Sequence, residues 1–234
     1  MKNYANNNEE FNPEIDILPT LADVLKSKKS IDVGANRGEF TAALRQAGFE
    51  VDCFEPMESL ARDLELRFAS DKSVRIHEIA CSNKNGFGLF YEFSASDSML
   101  DSTLFSTLNP HPTYEGLPIG QRSIVDLQRL DTIFEEQLET EFGLLKIDTE
   151  GHDLTVLEGA SKINAEALLV EFWDEHFIFN QGKVANRLSD YQSAIDSTKF
   201  PFNILFWRGS DVAQYGFVCN AEESPRRVGE TFCI

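Results

Sequence analysis

The chain has few cysteines and few basic residues, and each shortage excludes a class of protein. Its four cysteines are widely spaced and form no Cys-x-x-Cys pair, so the sequence predicts neither a zinc site nor a redox pair. Lysine and arginine number 21 against 39 aspartates and glutamates, which gives a net charge of −18. Such a surface repels nucleic acids and anionic membranes, and we expect neither as a partner.

Long hydrophobic runs are also missing. No apolar stretch approaches the roughly 20 residues that a transmembrane helix needs. The start of the chain is polar and rich in asparagine, unlike a secretory signal peptide. These features predict a cytoplasmic protein and leave its oligomeric state open.

What the chain does contain is an alternation of strand-like and helix-like segments. Its 234 residues, 42% of them hydrophobic, suffice for one α/β domain. Residues 74–80 predict a strand, and the apolar run at 142–147 is typical of a central parallel strand. This alternation predicts a mostly parallel central sheet with helices on both faces. We expect a flexible N-terminal arm at residues 1–12 and a single domain at 13–234.

The most informative segment is a glycine turn between a strand and a helix. An apolar run that ends at Val33 meets Gly34, Gly38 follows four residues later, and a helical pattern then begins. Glycines allow the backbone to approach a ligand closely, and a new helix points free N–H groups towards it. Asp32 lies just before the turn, where its carboxylate can accept hydrogen bonds from a cofactor or from turn amides.

A second acidic residue narrows the choice of cofactor. Asn36 stands where a dinucleotide-binding fingerprint has its middle glycine, which disfavours a nicotinamide cofactor. Glu55 ends the next strand, 23 residues after Asp32, and an acidic side chain there can bind both hydroxyl groups of a ribose. The two features together are similar to those of S-adenosylmethionine-dependent methyltransferases.

Ionisable side chains concentrate at the end of another strand. Residues 148–153 read Asp-Thr-Glu-Gly-His-Asp, directly after the run at 142–147. Such a cluster is costly unless it has partners or water, and ligands of parallel sheets bind beyond the ends of strands. A general base would help a hydroxyl group to act as a nucleophile. The candidates are His152, Asp148 and Glu150, with His111 from the preceding loop.

Two further roles are open at this strand end. Asp148 and Glu150, together with Glu171 on the next strand, could converge on Mg²⁺ or Ca²⁺ through oxygen ligands. The segment lacks the spacing of a calcium loop, however, and we predict no metal. Lys146 lies within the strand, and we expect it to be a buried partner of Asp148 or Glu150.

A long segment with weak periodicity precedes this strand. Residues 94–122 are rich in serine and threonine and contain three prolines. Long loops in compact domains are commonly functional. We predict that this segment forms part of an acceptor pocket or a lid over it.

From about residue 30 to residue 220 the chain resembles the FkbM family of methyltransferases. The matching motifs are Ile-Asp-Val-Gly-Ala-Asn-x-Gly at 31–38, Phe-Glu-Pro at 54–56, Leu-Asp at 130–131, Leu-Lys-Ile-Asp-Thr-Glu-Gly at 145–151, Val-Leu-Glu-Gly-Ala at 156–160 and Leu-Val-Glu-Phe at 169–172. The resemblance implies a Rossmann-like fold that binds S-adenosylmethionine and releases S-adenosylhomocysteine. It also implies methylation of a hydroxyl group, commonly on a sugar, glycan or polyketide product.

The motifs and the strand ends together predict which residues hold the cofactor. The glycine turn should surround its amino-acid part, Glu55 its ribose, and the end of the strand at 74–80 its adenine. The predicted cofactor-binding residues are Asp32, Gly34, Ala35, Asn36, Gly38, Glu55, Pro56, Ala80, Cys81 and Asp148. Two alternatives stay open, a regulatory protein that binds the cofactor without turnover and a methyltransferase that acts on nitrogen.

Overall fold

Strands and helices alternate along the chain, as the sequence predicts. The computed structural model describes residues 12–93, 106–108, 119–137, 141–172, 186–195, 203–208, 215–219 and 228–233. The helices are α1 (Pro13–Asp16), α2 (Leu18–Val24), α3 (Glu39–Gln46), α4 (Glu58–Arg67), α5 (Leu130–Ile133), α6 (Asp153–Gly159) and α7 (Leu188–Ala194), with a 3-10 helix at Glu135–Gln137. The strands are β1 (Lys29–Val33), β2 (Glu50–Phe54), β3 (Val74–His77), β4 (Ala80–Cys81), β5 (Gly86–Phe93), β6 (Ile119–Gln128), β7 (Glu141–Ile147), β8 (Asn164–Phe172), β9 (Asn203–Arg208), β10 (Tyr215–Cys219) and β11 (Val228–Cys233).

The main sheet has the strand order β10-β9-β11-β8-β7-β1-β2-β3. Strands β8, β7, β1, β2 and β3 are parallel, whereas β11, β9 and β10 extend the sheet in antiparallel fashion. β1 lies between β7 and β2, with Asp32 opposite Lys146 on one side and Cys53 on the other. This register brings the carboxyl ends of three parallel strands together, which is where ligands of such sheets bind.

Apolar side chains cover both faces of this sheet. Leu144 of β7 belongs to the cluster formed with α2, α3 and α4, whereas its neighbour Leu145 belongs to the cluster formed with α5 and α6. Successive strand residues point to opposite faces, so a strand that is apolar on both must be covered on both. The predicted mostly parallel sheet with helices on both faces is confirmed.

A second, three-stranded sheet of order β4-β6-β5 was not predicted. The prediction of one strand over residues 74–80 is wrong, because the chain turns after β3. The amide of Ile79 donates to the carbonyl of His77, and β4 then pairs with β6 instead of continuing the main sheet. Strand β11 was also missed, because Val-Gly-Glu-Thr-Phe-Cys has neither a continuous apolar run nor a strict alternation of apolar and polar residues.

Several predicted segments fall partly outside the described residues. These are residues 1–11 of the arm, and residues 94–105 and 109–118 of the predicted lid, which include His111. Residues 119–122, also assigned to the lid, begin strand β6 instead. Among the described helices, none has the length and hydropathy to span a membrane.

Candidate active site

The ends of β1, β2 and β7 border a cavity of about 670 Å³. Ligands of parallel sheets bind at such strand ends. Nine of the predicted site residues line it: Gly34, Asn36, Glu55, Pro56, Ala80, Cys81, Asp148, Glu150 and His152. Asp32, Ala35 and Gly38 are not among its lining residues.

The glycine turn after β1 packs directly on the end of β7. Gly34 has a φ of +76°, and a Cβ at this position would lie 1.8 Å from the carbonyl oxygen of Asp148. Gly38 has a φ of +77°, and its Cβ would lie 2.4 Å from the side chain of Leu64 on α4. A positive φ is strained for other residues, so both positions favour glycine, and at Gly34 the neighbouring backbone also leaves no space for a Cβ.

The first amides of this turn donate to other parts of the protein. Gly34 and Ala35 both donate to the carbonyl of Phe54, at 3.0 and 3.1 Å. The amide of Asn36 donates to Glu55 Oε2 at 2.9 Å. These three N–H groups are therefore not the ligand donors that the strand–turn–helix pattern predicts.

Glu55 is fixed in the cavity wall by two backbone amides. Oε2 accepts from Asn36, and Oε1 accepts from the amide of Met57 at 2.9 Å. Burial raises the pKa of Glu55 to about 7, although both hydrogen bonds favour the charged form. A carboxylate oxygen has two lone pairs, so each oxygen can still accept a hydrogen bond from a ribose hydroxyl.

Asp32 lies beneath the turn, where its carboxylate is fully buried. Oδ2 accepts a hydrogen bond of 2.6 Å from the Thr41 hydroxyl on α3, and Oδ1 lies 3.2 Å from Lys146 Nζ. The same ammonium group donates to the Gly34 carbonyl at 2.9 Å and lies 3.6 Å from Asp148 Oδ2. The expected pairing of Lys146 with Asp148 is therefore present, and Lys146 pairs with Asp32 as well.

Three carboxylates converge at the end of β7. One oxygen each from Asp148, Glu150 and Glu171 lies within 4.8 Å of the other two. Desolvation and the negative charges of Asp148 and Asp153 raise the pKa of Glu150 well above its usual range, against the opposing effect of Lys146. Such a cluster can hold a proton, and its oxygens also suit a hard divalent cation.

Asp153 stabilises the loop that carries Glu150 through hydrogen bonds within it. It is the first residue of α6, and its carboxylate accepts hydrogen bonds from the Thr149 amide and hydroxyl and from the Gly151 amide, at 3.3, 3.1 and 3.1 Å. Burial and the charge of Asp148 raise its pKa to about 7. Because its oxygens are occupied within this loop, we assign Asp153 a structural role.

His152 is buried beside β4. Its Nε2 lies 3.1 Å from the hydroxyl of Ser82, the residue that follows β4. Burial, aided by the positive charge of Lys84, lowers the pKa of His152 to about 4. The imidazole is therefore neutral at neutral pH.

Residues 106–108 of the predicted lid lie against the loop that carries Glu150. Thr107 exchanges two backbone hydrogen bonds with Tyr91 of β5, at 3.0 and 3.1 Å, and its hydroxyl donates to the Glu150 carbonyl at 3.0 Å. Its neighbours Ser106 and Leu108 line the cavity. The Ser106 Oγ is buried and has no hydrogen-bond partner in the described part of the chain. This stretch is a wall of the site in contact with the β7–α6 loop.

The family assignment follows from a sequence comparison over this region. The model of the methyltransferase FkbM domain matches residues 32–192, which span β1 to α7 and include every described site residue. The chain belongs to the FkbM methyltransferase family. The predicted membership is confirmed, and with it S-adenosylmethionine as the cofactor of this methyltransferase. No curated protein is significantly similar in sequence.

Solved structures of methyltransferases resemble this FkbM protein in fold. A proposed methyltransferase from Streptococcus mutans in complex with S-adenosylhomocysteine superimposes with a TM-score of 0.50 at 8% identity, over 95% of this chain and 98% of that one. An rRNA methylase from Streptococcus thermophilus has a TM-score of 0.48 at 10% identity, over 96% and 97%. An O-methyltransferase from Thermotoga maritima has a TM-score of 0.44 at 10% identity, over 97% and 66%. At such identities the likeness concerns the fold alone.

Sequence reasoning missed three features of the FkbM site. They are the Thr107 contact, the Ser82–His152 hydrogen bond and the complete burial of Asp32. The burial of Asp32 could have been predicted from strand alternation. Ile31 and Val33 face one side of β1, so Asp32 faces the other, and a central parallel strand is buried on both sides. The first two join residues that are far apart in sequence, and no local pattern indicates them.

Proposed function

We propose that this enzyme transfers the methyl group of S-adenosylmethionine to a hydroxyl oxygen of a small molecule or glycan. The observation that carries the proposal is the Glu150 carboxylate, which lines the cavity at the strand ends and has a raised pKa. A hydroxyl group is a weak nucleophile while protonated, so its methylation benefits from a carboxylate that accepts the proton.

The residues present fit the cofactor. Gly34 lines the cavity, and its missing side chain lets the turn pack on the Asp148 carbonyl, whereas Glu55 keeps acceptor capacity on both oxygens. In the proposal, Glu55 binds the ribose, Gly34 and Asp148 face the amino-acid end, and Ala80 contributes to the adenine pocket. When bound, the cofactor supplies an electrophilic methyl group.

Glu150 suits the role of general base better than His152 does. A general base is most efficient when its pKa lies near the working pH. Burial lowers the pKa of His152 to about 4, so its imidazole is a weak proton acceptor, whereas burial and the charges of Asp148 and Asp153 raise the pKa of Glu150 well above its usual range. In the proposal Glu150 takes the proton of the acceptor hydroxyl, and neutral His152 lines the pocket beside it.

The charge of the site favours a neutral acceptor. Asp148, Glu150 and Glu171 lie together, and the net charge of the whole chain is −18. A phosphate-rich acceptor such as RNA would be repelled both by the surface and by the site. Sugars, glycans and polyketides offer hydroxyl groups without this penalty.

A panel of acceptors tests the proposal. The purified protein is incubated with S-adenosylmethionine and with sugars, oligosaccharides, polyketide lactones, amines or RNA, each with EDTA or with Mg²⁺, and released S-adenosylhomocysteine is measured. We expect product from hydroxylated acceptors, with the methyl group located on oxygen by mass spectrometry. Product from amines or RNA alone would contradict the proposal, and cofactor binding without any turnover would favour the regulatory alternative.

Replacement of Glu55 by alanine should weaken cofactor binding. The loss of a charged acceptor for the ribose hydroxyls is expected to cost about 1.5–3 kcal/mol in the binding free energy of S-adenosylhomocysteine, measured by calorimetry. Glu58→Ala is the matched control, because Glu58 is exposed at the start of α4 and does not line the cavity. Equal affinity in the Glu55 variant and the control would remove Glu55 from the ribose site.

Removal of the Thr107 hydroxyl should impair turnover more than cofactor binding. Thr107→Val keeps the shape of the side chain but loses the hydrogen bond to the Glu150 carbonyl, so we expect kcat to fall by up to about tenfold. Thr107→Ser should retain activity. Thr132→Val is the control, since exposed Thr132 accepts a hydrogen bond from Asn85 and does not line the cavity. An unchanged kcat in Thr107→Val would show that this contact does not position Glu150.

A further inference from the structure

Asp32 and Lys146 form a buried ion pair behind the cavity wall. Their Oδ1–Nζ distance is 3.2 Å, and the exposed fractions of the two residues are 0% and 6%. Neither is among the residues that line the cavity. The mechanism proposed above uses neither residue.

The two residues of this ion pair contact different parts of the protein around the site. Asp32 accepts the 2.6 Å hydrogen bond from Thr41, which ties β1 to α3. Lys146 donates to the Gly34 carbonyl at 2.9 Å and lies 3.6 Å from Asp148 Oδ2. Gly34 and Asp148 do line the cavity, and both receive their contact from the one ammonium group.

We propose that Asp32 and Lys146 are positioning residues, which fix the Gly34 carbonyl and the Asp148 carboxylate for the amino-acid end of the cofactor without touching it. The inference rests on the proposed function, in which Gly34 and Asp148 face the amino-acid end of the cofactor. Asp32 acts on these two groups through Lys146, which contacts both of them where the Gly34 turn packs on Asp148.

General energetics support a positioning role over a purely stabilising one. Replacement of a buried ion pair by apolar residues is often neutral for stability, whereas removal of one partner leaves an uncompensated charge. A fold that needed only packing at this point could use apolar side chains. The alternative, in which Asp32 or Lys146 binds the cofactor directly, is an outcome of the test below.

A double-mutant cycle on S-adenosylhomocysteine binding separates these roles. Asp32→Asn, Lys146→Met and the double variant are compared with wild type by calorimetry. We expect each single variant to bind roughly ten- to hundredfold more weakly, as for other supporting contacts, and the double variant to be no weaker than the worse single. Losses that multiply would overturn the proposal, since they indicate two independent contacts with the ligand. Failure of wild type to bind would instead count against the proposed function.

A second ligand tests which end of the cofactor is affected. The probe 5′-methylthioadenosine has the adenine and the ribose but no amino-acid end. We expect all three variants to bind it as wild type does, and an equal loss for both ligands would overturn the proposal. If wild type binds this probe too weakly to measure, the cycle on S-adenosylhomocysteine decides alone.

The melting temperature distinguishes positioning from stability. The single variants leave a buried charge unpaired, so their melting temperatures should fall, and the double variant should recover much of this loss. Its affinity for S-adenosylhomocysteine should stay low, whereas recovery of both would show a purely structural contact. The control is the double variant Arg45→Met/Asp71→Asn, which removes a more exposed ion pair of 2.8 Å and should bind both ligands as wild type does.

Discussion

Replacement of Glu150 by glutamine is expected to lower turnover by about 10²–10⁴-fold and to leave the affinity for S-adenosylhomocysteine nearly unchanged. Glutamine keeps the size of the side chain but cannot accept the proton of the acceptor. Burial and two neighbouring carboxylates raise the pKa of Glu150, whereas burial lowers that of His152, which favours Glu150 over His152 as the proton acceptor. The measurement is kcat with the acceptor that the panel identifies, beside a calorimetric titration.

His152→Gln is the matched variant for this prediction. Glutamine can retain the hydrogen bond to Ser82, and we expect a loss of less than about tenfold, because only the proton-accepting group adds the larger factor. A greater loss for His152→Gln than for Glu150→Gln would assign the base to His152. The two assignments also differ in pH dependence. His152 is already neutral above about pH 4, so a reaction with His152 as the base would have a constant rate from mildly acidic to neutral pH.

Much of the site could be predicted from local sequence, because its residues follow strands. Gly34, Glu55 and Asp148 each come directly after an apolar run, and the ends of parallel strands meet at one edge of the sheet. The structure places all three on the cavity wall. Periodicity and turn chemistry are properties of a few consecutive residues, and each of these three positions can be recognised from such a short stretch.

The remaining features depend on long-range pairing and on burial. Strand β6 pairs with both β4 and β5, and this small sheet brings Thr107 against Tyr91 and Glu150. The low pKa of His152 likewise reflects a desolvated position that its own sequence neighbours do not reveal. The choice of Glu150 over His152 as the base therefore needed the three-dimensional environment.

Replacement of Gly34 by alanine is expected to abolish measurable binding of S-adenosylhomocysteine. The φ of +76° alone would cost about 1–2 kcal/mol for a residue with a Cβ. The Cβ would also lie 1.8 Å from the Asp148 carbonyl oxygen, and backbone cannot rotate away as a flexible side chain can. Either the turn or the end of β7 must move, and both line the cavity in which we propose that the cofactor binds.

Gly48→Ala separates these two effects, because Gly48 has a φ of +96° and a Cβ there would meet nothing within 4 Å. We expect this control to lose about 1–2 kcal/mol in the free energy of unfolding and to bind S-adenosylhomocysteine like wild type. Gly34→Ala should lose more stability than the control and should fail to bind even under conditions in which it is folded. If the two variants bind with equal affinity, the contact between the Gly34 turn and Asp148 does not shape the cofactor site, and the positioning role inferred for Lys146 loses its basis.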